Sequence, residues 1–331
     1  MYSFVVDPAV KPGRYRLNGD GLLQNAPLVG VLTRPRDFSA SARPSVEVSA
    51  SFAGQVELLG YDADLSPRWP GDTIQVTAHW KSLRTMSRHY VAALHLLDNT
   101  MYSWGQSDQI LGSHYPNVLW APGETVSEIY SLPIGHQTPP GLYTIEFSVY
   151  HYVLGTFYFL PVTSAVQPTP VEHLYLGPVR VMDPAQTRPP THPMQVVLDN
   201  QIQLLGYDLS NRQLSRDEPL RLALFWQATR QPAADYTVFS QLIGPDGQVW
   251  GQQDNQPQAG RYPTSRWAVQ DTLVDRYELS LRPGAPPGPY RLLVGMYDLA
   301  TGQRLLAVGQ DGQRLPDDAI LLATLSLDLD A

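Results

Sequence analysis

The strongest constraint on the fold is that the chain repeats itself. Val56-Glu57-Leu58-Leu59-Gly60-Tyr61-Asp62 returns 146 residues later as Ile202-Gln203-Leu204-Leu205-Gly206-Tyr207-Asp208. Trp80 and Trp226, Tyr90 and Tyr236, and Trp104-Gly105-Gln106 and Trp250-Gly251-Gln252 keep the same register. After a slip of one residue, Tyr115-Pro116 matches Tyr262-Pro263, Trp120-Ala121 matches Trp267-Ala268, and Pro140-Gly141-Leu142-Tyr143 matches Pro287-Gly288-Pro289-Tyr290. Landmarks held in register over such a length mark two homologous units. A partial third copy stands in front, where Lys11-Pro12-Gly13-Arg14-Tyr15 repeats the spacing of Pro139 to Tyr143 and Leu28 to Leu32 parallels Leu174 to Val179. The boundaries that follow are 1–45 for the terminal strands of a preceding, partial unit, 46–183 for unit 1 and 193–331 for unit 2. A piece of a longer array is the expectation, because half a unit leaves strand edges and an apolar face uncovered.

Within each unit the hydrophobic period is two. Leu220, Leu222, Leu224 and Trp226 share one face of a strand, as do Ile74, Val76, Ala78 and Trp80. Further runs, Tyr236 to Ile243, Leu273 to Leu281 and Tyr290 to Tyr297, are short and rich in β-branched and aromatic residues, and Gly244-Pro245-Asp246-Gly247 signals a hairpin. Pro (30) and Gly (25) are abundant while charged residues are only 16%, which favours short elements joined by turns over long charged helices. Each unit therefore reads as about seven or eight antiparallel strands, the cadence of a β-sandwich. The fold class expected is all-β, in tandem immunoglobulin-like antiparallel β-sandwiches.

Two features carry a resemblance to known families. Trp80 and Trp226, each followed by Gly-x-Tyr at a later strand start (Gly141 and Tyr143; Gly288 and Tyr290), resemble the core Trp and tyrosine corner of immunoglobulin-like sandwiches. These four aromatic residues, Trp80, Tyr143, Trp226 and Tyr290, are read as structural. The flanking cysteines of such domains are missing, since the chain has no Cys. More specifically, Leu204 to Asp208, Asp235 to Phe239, Tyr262 to Trp267 and Pro286 to Leu292 resemble modules in the extracytoplasmic C-terminal parts of bacterial membrane glycosyltransferases of the protein-mannosyltransferase type. Unit 1 departs from that pattern at Ser87 to Val91 and at Tyr115 to Trp120. The resemblance covers accessory modules alone, so it implies an extracytoplasmic or cell-surface location and no transferase activity.

The residues themselves offer few sites. Eight histidines all precede residue 193, His79 aligns with Phe225 and His95 with Gln241, and no Gly-x-Ser-x-Gly or His-Glu-x-x-His occurs. A non-catalytic chain is the expectation. Asp62, Asp64, Asp98 and Asp108, with Asp208, Asp246 and Asp254, fall near turns and are candidate oxygen ligands for Ca²⁺; the repeated pairs Asp62/Asp208 and Asp108/Asp254 stand out, although Asp is also a good turn residue. No other cofactor is indicated. Trp104, Tyr115 and Trp120, with Trp250, Tyr262 and Trp267, lie in or beside loops. There an aromatic ring can plug the end of a sandwich, meet a protein partner or stack on a sugar.

A net charge of −8 gives no electrostatic footprint for nucleic acid. The most apolar stretch, Tyr143 to Val162, is broken by Glu146, His151, Gly155 and Pro161, so this segment is not expected to insert in a membrane. The function expected is a non-catalytic structural or interaction array, part of a larger surface or membrane-anchored protein, with neighbouring proteins or further copies meeting the ends of the sandwiches. The alternative is a glycan-binding accessory region of a membrane glycosyltransferase.

Overall fold

The computed structural model describes residues 13–16, 28–31, 37–38, 43–164 and 169–328. Two short strands, β1 (Gly13–Arg16) and β2 (Leu28–Val31), pair antiparallel. The rest of the partial unit expected over 1–45 lies outside the described residues, apart from 37, 38 and 43–45.

Residues 46–181 form ten strands: β3 (Val46–Phe52), β4 (Val56–Ala63), β5 (Thr73–Ser82), β6 (Val91–Leu97), β7 (Ser103–Ile110), β8 (Thr125–Pro133), β9 (Gly141–Val153), β10 (Thr156–Phe159), β11 (Val162–Thr163) and β12 (Leu174–Val181). One sheet has the order β11-β3-β4-β5-β8; the other runs β7-β6-β9, with β12 and β10 both on the far side of β9. Residues 192–327 repeat the plan with β13 (His192–Leu198), β14 (Ile202–Leu209), β15 (Leu220–Ala228), β16 (Tyr236–Ile243), β17 (Val249–Asn255), β18 (Thr272–Leu279), β19 (Gly288–Asp298), β20 (Ala307–Val308) and β21 (Ile320–Leu327). Their sheets are β18-β15-β14-β13-β20 and β17-β16-β19-β21. The chain is thus all-β, built of antiparallel sheets. Among the described residues there is no α-helix, and no helix is long and apolar enough to cross a membrane.

The two sheets of each unit share one core, as the alternation along the strands requires. In unit 1, Phe52 and Trp80 from one sheet meet Phe147 from the other, with ring centroids 5.9 Å (Phe52–Trp80) and 5.6 Å (Trp80–Phe147) apart. Trp226 holds the same place in unit 2, fully buried among Leu204, Leu242 and Leu292.

The repeated Leu-Leu-Gly-Tyr-Asp motif is explained residue by residue. The first Leu enters the core, and a bulge follows at the glycine. A Cβ on Gly60 would stand 2.2 Å from Val46 O, and one on Gly206 would stand 2.4 Å from His192 O, so only glycine lets the neighbouring strand pass. Beyond the bulge Tyr207 donates its hydroxyl to Leu322 O in the other sheet, at 2.5 Å. The aspartate then caps the incoming strand: Asp62 accepts from Ser45 N and Asp208 from Thr191 N, both at 2.6 Å.

At the corner before β9 and β19, Tyr143 Oη donates to Pro139 O (2.6 Å) and Tyr290 Oη to Pro286 O (2.7 Å), each ring fully buried. Removing one such hydroxyl takes a hydrogen bond from a part-buried carbonyl, so Tyr290→Phe is expected to lower the stability of unit 2 by about 1 kcal/mol. Unfolding midpoints in urea check this, with equal midpoints excluding the role.

Candidate functional site

The loop aromatics form a repeated self-contained lock. After β7 and β17 the chain turns through a short 3₁₀ segment (Asn117–Leu119; Thr264–Arg266) into Trp120 and Trp267. Each indole donates back to the carbonyl of the tyrosine five residues before it, Trp120 Nε1 to Tyr115 O (2.7 Å) and Trp267 Nε1 to Tyr262 O (3.0 Å). The tyrosine hydroxyls in turn reach Glu124 and Asp271, whose carboxylates also accept from Ala121 N and Ala268 N. This closure turns the ring inward, leaving Trp120 1% and Trp267 0% exposed and Tyr262 buried as well. The expectation of a ligand or partner contact at Trp120, Tyr262 and Trp267 is therefore corrected: they plug the end of the unit. Trp104, Trp250 and Tyr115 are half-buried against the two cores. Asp98 holds the Trp104 indole at 2.9 Å and Asp246 holds that of Trp250 at 3.0 Å.

Sequence reasoning missed a second repeated device, a buried carboxylate two residues before a buried tyrosine. Glu128 accepts from Tyr130 Oη (2.7 Å), Gly112 N (2.8 Å) and Ser113 N (2.6 Å); Asp275 accepts from Tyr277 Oη (2.6 Å) and Gln258 N (2.8 Å). Each carboxylate thereby pins the crossover that leaves one sheet for the other. Burial pushes Asp275 up to about 7 against the pull of its hydrogen bonds, and pushes the Tyr277 hydroxyl well above its ordinary value. The available signal was Glu-Ile-Tyr recurring as Asp-Arg-Tyr in the register of the repeat.

The candidate metal residues do not assemble. Among the described residues no three His, Asp or Glu side chains stand together as a metal site needs. Asp208 is spent on Thr191 and Arg188, while Asp254 takes the Tyr297 hydroxyl at 3.3 Å and is pushed up by burial. Asp108 lies exposed on β7, 3.6 Å from His95 Nε2.

Asp62 belongs to a line of hydrogen bonds: His79 Nε2 lies 2.6 Å from Asp62 Oδ2, and His79 Nδ1 lies 2.9 Å from Ser127 Oγ. The bonds from His79 and then Ser45 hold the Asp62 carboxyl down at about 2. Carboxylate, imidazole and hydroxyl in sequence make a proton relay, but acyl transfer also needs donors for an oxyanion. A shallow cavity of about 230 Å³ beside Ser127 is lined by Gly112, yet the amides of Gly112 and Ser113 already donate to Glu128. In unit 2, Phe225 and Val274 replace the histidine and serine and Arg188 binds the aspartate, so the capping aspartate is the shared element.

Units 1 and 2 meet in a polar junction. Arg180 at the end of β12 pairs with Asp271, donates to Thr272 O (2.8 Å) and lies 4.9 Å over the Tyr262 ring. Buried Asp183 pairs with Arg276 on β18 and caps the turn Pro184–Thr187. Leu142 N donates to Arg261 O (2.7 Å) and Asn99 Nδ2 to Gly260 O (3.2 Å).

The chain matches no protein-family model and no curated protein. Among solved structures it is similar to a DUF4785 family protein from Legionella pneumophila, at 10% identity and a TM-score of 0.21 over 78% of this chain. It spans 56% of the length of that structure, and a likeness this slight carries neither fold nor function.

Proposed function

We propose that the chain is a fixed run of immunoglobulin-like β-sandwich modules with a non-catalytic structural or interaction role outside the cytoplasm. The strand order supports the immunoglobulin-like reading: β4-β5-β8 faces β7-β6-β9-β12, with the chain changing sheets after β5, β7 and β8. The two units also repeat their plugs, corners and bulges. A non-catalytic role is supported by the relay at Ser127 having its nearby loop amides engaged.

The observation that carries the array reading is the junction. Inter-domain contacts within a chain permit relative motion unless something locks them. Here two ion pairs, a backbone hydrogen bond and a capped linker act together. The Arg180 and Asp271 side chains are 11% and 19% exposed, so that pair is largely shielded from solvent screening, while in the second pair Asp183 is buried and Arg276 is half exposed.

Arg180→Ala combined with Arg276→Ala is expected to free the units, widening the distribution of distances between spin labels placed one in each unit. A wild-type distribution already as broad as that of the variant excludes a fixed array. The second reading, a glycan-binding accessory region of a membrane glycosyltransferase, draws on the sequence resemblance and on a face of unit 1 that unit 2 lacks.

A further inference from the structure

The sheet β7-β6-β9-β12 of unit 1 turns Ile145, Phe147 and Val149 into the core, so Glu146, Ser148, Tyr150 and Tyr152 point the other way. Strand pairing lays out that outer face. Gln106, His95, Glu146 and Tyr175 stand directly opposite one another in a row across four strands. Two residues along, Asp108, Ala93 and Ser148 form the next row, and Tyr150 faces Phe159 and Tyr152 faces Phe157 beyond it. Rings continue along the face: Tyr150 and Tyr152 lie 5.2 Å and 5.1 Å from Phe157, and Phe159 lies 5.1 Å from His173. Tyr152 is 58%, Phe157 55% and Tyr175 51% exposed, which is unusual for rings of this size.

Polar groups are set into this aromatic strip. Glu146, largely buried, holds His95 Nδ1 at 3.0 Å and has His173 Nδ1 3.5 Å away. Among the described residues Ser148 Oγ is buried with no hydrogen-bond partner, and His173 Nδ1 has only its 3.5 Å approach to Glu146. The accessible edges of His95, Glu146 and Gln106 are polar groups that a ligand presenting hydroxyls can meet.

Unit 2 supplies the internal control, because its strands pair in the same register. Leu293 stands for Glu146, Leu321 for Tyr175, Gly295 for Ser148, Phe239 for Ala93 and Arg304 for Phe159. Phe239 there covers Gly295 so closely that a Cβ would meet its ring at 2.5 Å, and Arg304 lies 4.3 Å above the same ring. Its rings are Phe239, beneath Arg304, and Tyr297, while Leu321 and Leu299 stand where unit 1 has Tyr175 and Tyr152.

We infer that the outer face of β7-β6-β9-β12 in unit 1 binds an uncharged glycan chain, with Tyr175, Tyr152 and Phe157 against the sugar rings and Glu146, His95 and Gln106 meeting hydroxyls. A pyranose has an apolar C–H face and a rim of hydroxyls, so it suits both the exposed rings and the polar groups between them, Gln106, His95 and Glu146. An apolar protein surface would offer Gln106, His95 and Glu146 no hydrogen-bonding partner. The charged groups on this face that carry a fixed sign are acidic, Asp108 and Glu146, and both lie against His95, which disfavours an anionic ligand. From Glu146 to Tyr152 the face runs about 20 Å, long enough for several sugar rings. The inference names a site for the glycan-binding reading and is independent of the array, since the label distances that test the junction do not depend on this face.

The test titrates the full chain with cellohexaose, laminarihexaose, mannohexaose and N-acetylchitohexaose by calorimetry, and with phosphatidylcholine vesicles in parallel. Binding of at least one hexasaccharide is expected, weakened about tenfold or more by Tyr175→Ala or Phe157→Ala, as for other hot-spot aromatics, and unaffected by Leu321→Ala in unit 2. Both aromatics are exposed, so unfolding midpoints should not move. No binding of any hexasaccharide at millimolar concentration overturns the inference, as does binding indifferent to Tyr175→Ala. Binding of vesicles alone, through the 98% exposed Leu154 at the tip between β9 and β10, overturns it too.

Discussion

Trp267→Ala is expected to destabilise unit 2 by about 3–5 kcal/mol, the range for deleting a buried Trp or Phe, where lost transfer energy and a residual cavity add. That is a large share of the roughly 5–15 kcal/mol that holds a domain together. The ring is fully buried in the unit 2 core, and its indole nitrogen closes the loop onto Tyr262 O. Trp267→Phe keeps most of the apolar contact and loses that hydrogen bond, so it should fall between wild type and alanine. Trp120→Ala is the matching change in unit 1. Chemical denaturation followed by far-ultraviolet circular dichroism reads all three. A Trp267→Ala protein as stable as wild type, with a defect confined to binding, would restore the ligand role that burial argues against.

The second large effect is a pH dependence in unit 2. Asp275 is 1% exposed and its carboxyl titrates at about 7 in the folded state, against an ordinary value near 3.8. Below about pH 4 the group is protonated whether the unit is folded or not. Between about pH 4 and 7 the folded unit keeps a proton that the unfolded chain has released, so stability falls as pH rises through that window. The difference amounts to on the order of 4 kcal/mol and is fully lost above about pH 7. Asp208 and Asp318 have the opposite sense. Hydrogen bonds from arginines and neighbouring groups hold them below the usual carboxylate value despite some burial, and their contribution disappears only as pH falls below about 4. Asp275→Asn is therefore expected to flatten the stability of unit 2 from pH 4 to 7 while leaving the acid limb in place. Parallel slopes for wild type and variant would refute the assignment.

The division into two repeats and the strand character were legible because repetition and a period of two are one-dimensional signals. So were the corner tyrosines, whose hydroxyls reach only four residues back. Burial of the loop aromatics was harder to read. Trp267 in a polar loop looks the same in sequence whether its ring faces solvent or folds beneath the loop, and only the bond from its indole to Tyr262 O decides. Asp275 was hidden because its partners, Tyr277 and Gln258, lie on opposite sides of a crossover whose path the sequence does not give. The outer face of β9 was invisible for a related reason. Glu146, His95, Gln106 and Tyr175 are scattered over eighty residues and become one row only through the register of three strand pairs.

The entry and exit strands of each unit lie in different sheets, β3 and β12 in unit 1 and β13 and β21 in unit 2. A tensile load carried along the chain therefore cannot pass down a single hydrogen-bonded ladder. It enters one sheet and leaves by the other, and so acts to slide the sheets across the interlocked Trp80, Phe52 and Phe147 in unit 1 and across Trp226 in unit 2. With no disulfide to bridge the layers, side-chain interdigitation, the Tyr207 hydroxyl bond to Leu322 and the backbone bonds from Leu214 N to Ser326 O and from Ser326 N to Arg212 O are what resist that sliding in unit 2.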